Sequence, residues 1–251
     1  MSSSDRLAGR CALVTGAAMR LGRSTALALA GAGADVAVHY RRSAAEADSA
    51  AAEIRRMGRS AWCVSADLAD AEQAAGLLPR AAELAGRPID ILVNSASVFP
   101  RGRLMTFAPA DLAAVVQVNA TAPLLLARAM AAQKVAGDVV NFLDARVAGR
   151  DLAHVPYHLS KRMLQDLTAM LALELAPGVK VNAVAPGLVL PPPGRGEEYL
   201  VRLHGTNPLG RHGSAGDITD AVLLLVCSSF ITGQVIFVDG GRHLTGAAHG
   251  R

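Results

Sequence analysis

Short apolar runs alternate along the chain with longer stretches that are rich in alanine and leucine. The short runs predict strands at 11–17, 35–40, 60–66, 89–96, 138–143, 179–185 and 234–240. Several of them are almost continuously apolar, which is typical of parallel strands with helices over both faces of a sheet. The longer stretches predict helices at 22–32, 43–57, 70–85, 111–132, 154–176 and 217–228. Strands that alternate with helices in this way predict a doubly wound α/β fold.

The alternation continues without an internal repeat or a low-complexity linker. We therefore expect residues 1–251 to form a single domain. The least regular segment is 188–213, which is rich in proline and glycine. Because long irregular segments in compact domains often cover a binding site, we expect this segment to be a flexible flap over the substrate.

Composition and charge narrow the classes of partner. The net charge is +4 with a pI near 9.3, but the basic residues are scattered and only 4% of residues are aromatic. This favours an anionic small molecule over nucleic acid.

The first ten residues are polar, and no uninterrupted apolar run approaches the roughly 18 residues that span a bilayer, so we expect a cytoplasmic protein without a membrane segment. The three cysteines form no CxxC pair, and no metal site is predicted.

A glycine-containing turn follows the first predicted strand. The sequence TGAAMRLGRS, residues 15–24, places Gly16 and Gly22 where the backbone can approach a phosphate, and the next helix begins there. A helix N-terminus after such a turn binds pyrophosphate through free N–H groups. Glycines also occur in turns that bind nothing, so this segment alone is a weak signal.

The ends of the next strands favour NADPH as the cofactor. The second strand ends in Tyr40, Arg41, Arg42 and Ser43, without the acidic residue that usually holds the ribose of NAD. Two guanidinium groups and a hydroxyl suit a 2′-phosphate, although a solvated arginine pair is the alternative. The third strand ends near Asp67, which could accept a hydrogen bond from adenine or cap the following helix.

The sequence YHLSK places a possible catalytic pair near the start of a predicted helix. Tyr157 and Lys161 are four residues apart and therefore share one helix face. We expect the ammonium group to lower the pKa of the phenol and so make it useful for acid–base chemistry. The motif also occurs by chance. The neighbouring His154 and His158 are predicted to lie on the helix surface.

Several motifs together resemble the short-chain dehydrogenase/reductase family. They are TGxxxxxG, NSAS at 94–97, VNATAP around Asn119, YxxxK and VNAVAPG. The resemblance implies a Rossmann sheet of seven mostly parallel strands in the order 3-2-1-4-5-6-7, and a homotetramer. It also implies that Tyr157 is catalytic with Lys161 as its partner, and that Asn119 holds a water in a proton relay. The implied cofactor-binding residues are Gly16, Arg20, Leu21, Gly22, Tyr40, Arg41, Arg42, Ser43, Asp67, Leu68, Ser95, Ala96, Ser97, Lys161, Pro186, Gly187 and Leu188.

Two departures from that family pattern resemble its pteridine reductase branch. Arg20 stands where most members have glycine, and Asp144 stands in NFLDA where most have serine. The resemblance implies that Arg20 contacts both cofactor phosphate and a pterin, and that Phe99 stacks on the pterin. The implied substrate-binding residues are Arg20, Ser97, Phe99, Asp144 and Tyr157. The alternatives are an exposed turn residue for Arg20, loop packing for Phe99 and a helix or turn cap for Asp144.

Three functions therefore stay open at the level of sequence. The first is NADPH-dependent reduction of a dihydropterin, with dihydrofolate as a further substrate. The second is reduction of a carbonyl such as a 3-oxoacyl thioester, with Asp144 in the usual position of serine. The third is a non-catalytic NADPH-binding regulator, which would not need to keep the residues of a proton relay.

Overall fold

A computed structural model describes residues 6–192 and 194–245. Seven strands form one sheet, in which every neighbouring pair is parallel and the order is β3-β2-β1-β4-β5-β6-β7. The strands are β1 Cys11–Val14, β2 Asp35–Tyr40, β3 Ala61–Ser65, β4 Ile91–Asn94, β5 Gly137–Phe142, β6 Val179–Pro186 and β7 Val235–Val238. The predicted doubly wound fold and its strand order are confirmed.

Helices cover both faces of this sheet. They are α1 Arg20–Gly31, α2 Ala44–Arg56, α3 Ala71–Ala85, α4 Pro109–Val116, α5 Ala122–Ala132, α6 Val155–Glu174, α7 Glu197–Val201 and α8 Ala215–Cys227. Alternate strand residues point to opposite faces, so Val14 packs in the core beneath α1, α2 and α8, whereas Leu13 packs beneath α3, α5 and α6. The crossover helices leave the carboxyl ends of all seven strands at one edge, where ligands bind in such folds.

The apolar segment predicted as one helix at 111–132 is divided in the structure. A π-helical turn, Gln117–Thr121, separates α4 from α5. By length and composition one helical stretch of the described residues, Pro109–Ala132, could cross a membrane, because its most apolar 18 residues have a mean hydropathy of 1.4. However, Ala122, Leu126 and Met130 of α5 are buried against the sheet, as in a helix of the core.

A buried histidine fixes the turn between β1 and α1. The Gly16 N–H donates to Nδ1 of His39 at 3.0 Å, and His39 Nε2 lies 3.1 Å from the Ala66 carbonyl oxygen. These partners define a neutral imidazole with its proton on Nε2. Burial lowers the pKa of His39 to about 4, so the ring stays neutral and keeps its acceptor at physiological pH. Thus β2 holds the first glycine turn through a side chain that the sequence did not single out.

The remaining predicted elements agree with the structure to within three residues at their ends. In its described residues, the irregular segment 188–213 contains the short helix α7 and the 3-10 turn His204–Thr206, neither of which was predicted. Ser214 then caps α8 by accepting a hydrogen bond from the Asp217 N–H. The segment therefore runs across the carboxyl edge of the sheet between β6 and α8.

Candidate active site

A cleft of about 690 Å³ lies at the carboxyl edge of the sheet. Its walls are the β1–α1 turn, the ends of β2 to β6, the start of α6 and the segment after β6. The structure brings nearly all of the predicted site residues to it. Those that line the cleft are Gly16, Arg20, Leu21, Gly22, Tyr40, Arg41, Arg42, Ser43, Asp67, Leu68, Ser95, Ala96, Ser97, Phe99, Asp144, Tyr157, Lys161, Pro186, Gly187 and Leu188.

The turn before α1 has the shape that a pyrophosphate needs. Gly16 has φ +66°, and a Cβ added to Gly22 would collide with the Gly16 carbonyl oxygen. Any larger side chain at Gly22 would force the turn away from the helix that follows it. The Ser95 and Ala96 N–H groups both donate to Thr15 Oγ1 at 3.0 Å, which joins the end of β4 to this turn. The cradle therefore fits the diphosphate of a dinucleotide.

Arg20 occupies this turn in an unusual backbone conformation. Its φ is +56°, in the left-handed region that glycine adopts without steric cost and arginine does not. Its guanidinium reaches the segment after β6 and donates to the Pro191 carbonyl oxygen at 2.8 Å. Having arginine rather than glycine at position 20 therefore strains the backbone of the turn. The arginine side chain lies between this turn and the predicted flap.

The end of β2 presents a positively charged surface to the cleft. Arg41 and Arg42 are exposed, and Arg41 Nη1 lies 3.8 Å from Asp67 Oδ1. Asp67 also accepts a hydrogen bond from the Ala69 N–H, whereas the cap of α3 is Asp70. Free guanidinium groups at this end of the cleft fit a 2′-phosphate, because they are not consumed by strong ion pairs within the described residues.

Asp144 and Tyr157 meet at the end of β5. The Tyr157 hydroxyl donates to Asp144 Oδ2 at 3.0 Å, and Asp144 Oδ1 accepts the Arg146 N–H at 2.8 Å. Asp144 is therefore both a turn cap, which was the alternative interpretation, and a partner of the tyrosine. Burial and the neighbouring Asp144 carboxyl group raise the pKa of Tyr157 well above its usual value.

The expected effect of Lys161 on Tyr157 is wrong for this arrangement. Lys161 Nζ donates to the Phe142 carbonyl oxygen at 2.7 Å and lies 5.8 Å from the centre of the Tyr157 ring. The pKa of Tyr157 is raised rather than lowered, because burial and Asp144 favour the neutral phenol. Burial also lowers the pKa of Lys161 to about 8, with Asp144 opposing that shift.

Asn119 lies behind the cleft wall and is fully buried. Its Oδ1 accepts from Ser97 Oγ and the Val98 N–H, and its Nδ2 donates to the Val98 carbonyl and to Ser160 Oγ. The side chain has no free hydrogen-bonding group for the predicted water. Its backbone carbonyl lacks the partner of a regular α-helix, because Pro123, four residues later, has no N–H.

Phe99 forms an aromatic wall near Tyr157. Its ring stacks on His154 at 4.0 Å and meets Tyr157 edge-on at 4.5 Å, while 47% of the residue remains exposed. Phe99 is therefore not a core residue, but one face of its ring is already covered by His154.

The prediction that His154 and His158 lie on the helix surface is wrong. His154 Nδ1 lies 3.1 Å from Asp151 Oδ2, and His158 is only 5% exposed.

Other residues of the cleft escaped the sequence analysis. Arg146 pairs with Asp151 at 2.5 Å and lies over the Phe99 ring at 5.2 Å. Tyr199 and Arg242 enter the cleft from the later part of the chain. The sequence contains Arg146 shortly after Asp144 and Arg242 after the last pair of glycines. Nothing in the sequence indicated which groups these two side chains would face.

The comparisons agree with this geometry. The family model described as Enoyl-(Acyl carrier protein) reductase matches residues 16–243. The crystal structure of FolM Alternative dihydrofolate reductase 1 from Brucella canis, complexed with NADP, has a TM-score of 0.90 at 35% identity and covers 95% of this chain and 96% of its own. The chain belongs to the short-chain dehydrogenase/reductase family and is an NADPH-dependent oxidoreductase.

Two curated relatives carry different activities in their names. Pteridine reductase 1 of Leishmania tarentolae is 38% identical over an alignment of 290 positions, which covers 94% of this chain and 97% of the relative. The 3-oxoacyl-[acyl-carrier-protein] reductase of Synechocystis sp. is 33% identical over 248 residues, with 94% and 97% covered. The chain is about as similar in sequence to a pterin reductase as to a ketoacyl reductase. Overall sequence identity therefore does not indicate which substrate it uses.

The strain at Arg20 predicts an order of stability for two variants. Arg20→Ala and Arg20→Gly both remove the guanidinium, but only glycine adopts a φ of +56° freely. We expect the glycine variant to have the higher free energy of unfolding, by about 1 kcal/mol. Urea denaturation of both variants measures this difference. An alanine variant that is as stable as the glycine variant, or more so, would show that position 20 is not strained.

Proposed function

We propose that this enzyme reduces a dihydropterin to the tetrahydro form with NADPH. The observation that carries the proposal is the hydrogen bond from the Tyr157 hydroxyl to Asp144 Oδ2 at 3.0 Å. Most members of the family have serine at the position of Asp144, and a serine hydroxyl can donate to a carbonyl oxygen. A carboxyl group at this position instead accepts hydrogen bonds, and pterins present N–H and amino groups that donate them.

The reacting bond of a dihydropterin is a carbon–nitrogen double bond. When bound, NADPH supplies a hydride for the carbon of that bond. The nitrogen must take up a proton, and we assign its delivery to the Tyr157 hydroxyl. Burial and Asp144 raise the pKa of Tyr157, so the phenol is protonated at neutral pH. It carries one proton, which it donates to Asp144 Oδ2 in this structure, so the basic imine nitrogen would replace Asp144 as the acceptor when the substrate binds.

The other residues would position the reactants. Lys161, fixed by the Phe142 carbonyl, would hold the nicotinamide ribose, and the Asn119 backbone would bind a water that returns a proton toward the tyrosine. The exposed part of Phe99 would contact the pterin ring beside Tyr157, with Ser97 at the same wall. Arg20 would contact cofactor phosphate and pterin, and its bond to Pro191 would release as the segment 188–213 closes.

Two alternatives remain distinguishable from this proposal. A 3-oxoacyl thioester reductase is supported by relatives such as the Synechocystis enzyme, but such an enzyme needs a donor to the carbonyl oxygen where Asp144 accepts hydrogen bonds. A non-catalytic regulator has less support, since the relatives that match along the whole chain are named as enzymes.

We also propose a single domain over 1–251 that assembles as a cytoplasmic homotetramer. The face of α6 away from the sheet exposes apolar side chains at helical spacing, with Met170 62% and Leu173 83% exposed. A second copy of this chain would cover that face, as the predicted tetramer requires. Sedimentation analysis should give the mass of four chains, and a monomeric particle at micromolar concentration would contradict this assembly.

A panel of substrates tests the proposed activity. NADPH oxidation is followed with dihydromonapterin, dihydrobiopterin, dihydrofolate and an acetoacetyl thioester, for the wild type and for Asp144→Ser. We expect turnover of a dihydropterin that falls by about 100-fold or more in the variant, because a shorter, neutral hydroxyl replaces the carboxylate that accepts from Tyr157 and would accept from the ring.

Binding of NADPH, followed by its fluorescence, shows that the variant is folded. Turnover of the thioester alone, at a rate that Asp144→Ser leaves unchanged, would contradict the pterin proposal and identify a carbonyl reductase.

A further inference from the structure

A second arginine turn closes the far end of the cleft. The 3-10 turn Arg242–Thr245 follows β7 and packs against the 3-10 turn Ala145–Ala148, which follows Asp144. Arg242 therefore faces the same end of the cleft as Asp144, Arg146 and Tyr199. This end is opposite to the β2 arginines, so it belongs to the substrate rather than to the 2′-phosphate of the cofactor.

Arg242 lacks the partners that the other arginine of this wall has. Arg146 pairs with Asp151 at 2.5 Å, and Asp151 is further held by His154. By contrast, no carboxylate of the described residues lies within 4.0 Å of the Arg242 guanidinium, and its buried Nε has no hydrogen-bond partner there. Guanidinium groups that are removed from water are normally paired, because their desolvation is costly.

The electrostatic environment of Arg242 also favours the binding of an anion. Burial and the neighbouring Arg146 lower the pKa of Arg242, and the opposing effects of Asp144, Tyr199 and Asp239 do not cancel them, so its positive charge is disfavoured there. An arginine still stays charged at neutral pH. An anionic group of a ligand beside the terminal nitrogens of Arg242 would stabilise its charge and relieve the repulsion between the two guanidinium groups.

We propose that Arg242 binds an anionic group on the side chain of the pterin substrate. This inference rests on the proposed function, and it adds that the preferred substrate carries a carboxylate or a phosphate beyond the ring. With Asp144 and Tyr157 at the reacting bond, Arg242 lies where the substituent of the ring leaves the catalytic pair. Arg146 contributes positive potential but is held by Asp151, so Arg242 is the direct ligand.

The test compares substrates that share a ring and differ in charge. Kinetic constants are measured for dihydrofolate, which carries carboxylates, for a dihydropterin phosphate ester, and for neutral dihydromonapterin. Arg242→Met removes the charge, Arg242→Lys keeps it, and Arg56→Met is the matched control. Arg56 is exposed on α2 and does not line the cleft.

We expect Arg242→Met to lower kcat/KM for one anionic substrate by about 10- to 100-fold relative to the neutral one, mainly through KM. The affected substrate identifies the group as carboxylate or phosphate. Arg242→Lys should recover part of the loss, and Arg56→Met should show no such discrimination.

An equal loss with all three substrates, or a loss in kcat alone, would overturn the anion site and leave Arg242 a structural residue. Absence of turnover with every pterin would instead contradict the proposed function. The inhibition constant of p-aminobenzoylglutamate, which carries the carboxylates without a pterin, gives a second readout. If Arg242→Met leaves that constant unchanged, Arg242 does not bind this carboxylate.

Discussion

The hydrogen bond between Tyr157 and Asp144 is the contact around which the substrate end of the cleft is built. It joins the end of β5 to the first turn of α6, across thirteen positions of sequence. The intervening 3-10 turn is held by Asp144 at one end, and Asp151 fixes Arg146 and His154 at the other. His154 in turn stacks on Phe99, so the aromatic wall is indirectly supported by the same group of charges. A change of the residue at position 144 would therefore alter the acid–base pair and its surroundings together.

The same contact changes how the family's catalytic tyrosine must be understood in this chain. A lysine that lowers the pKa of the phenol would favour a tyrosinate, which is the base that alcohol oxidation needs. Here Lys161 binds the Phe142 carbonyl, while Asp144 raises the pKa of Tyr157. The phenol therefore holds the proton that a reduction needs, beside a carboxylate that can accept hydrogen bonds from a substrate ring. The proposed reaction thus follows from a local balance of burial and charge rather than from overall similarity, which does not separate pterin from ketoacyl relatives.

Much of the fold was predictable from the sequence, because apolar runs such as Cys11–Val14 are buried on both faces of a parallel sheet. That the residues predicted to bind the cofactor would lie together in one cleft was predictable for a similar reason. The roles proposed for Gly16, Gly22 and the arginines after β2 depend on local backbone shape and charge, which their spacing along the chain indicates. Arg20 was also recognised, but its left-handed backbone was not, since a departure from glycine does not reveal whether the turn changed its conformation.

The misjudged residues depend on contacts between distant segments. His158 looked like a surface residue because it is polar and lies on a helix, yet the fold buries it. The partner of Lys161 is a carbonyl of β5, which no helical spacing could identify. His39, which holds the glycine turn, lies in a predicted strand, where nothing in the sequence indicated this contact. In each case the chemistry is set by tertiary neighbours rather than by sequence neighbours.

The most direct measurement is the ionisation of Tyr157 with and without the charge of Asp144. Tyrosinate absorbance is titrated with pH in the wild type and in Asp144→Asn, and Tyr157→Phe identifies the contribution of Tyr157 among the three tyrosines. Because the carboxylate favours the neutral phenol, Tyr157 should ionise at a lower pH in Asp144→Asn than in the wild type. Ionisation of wild-type Tyr157 at an equal or lower pH would contradict the central role of this contact.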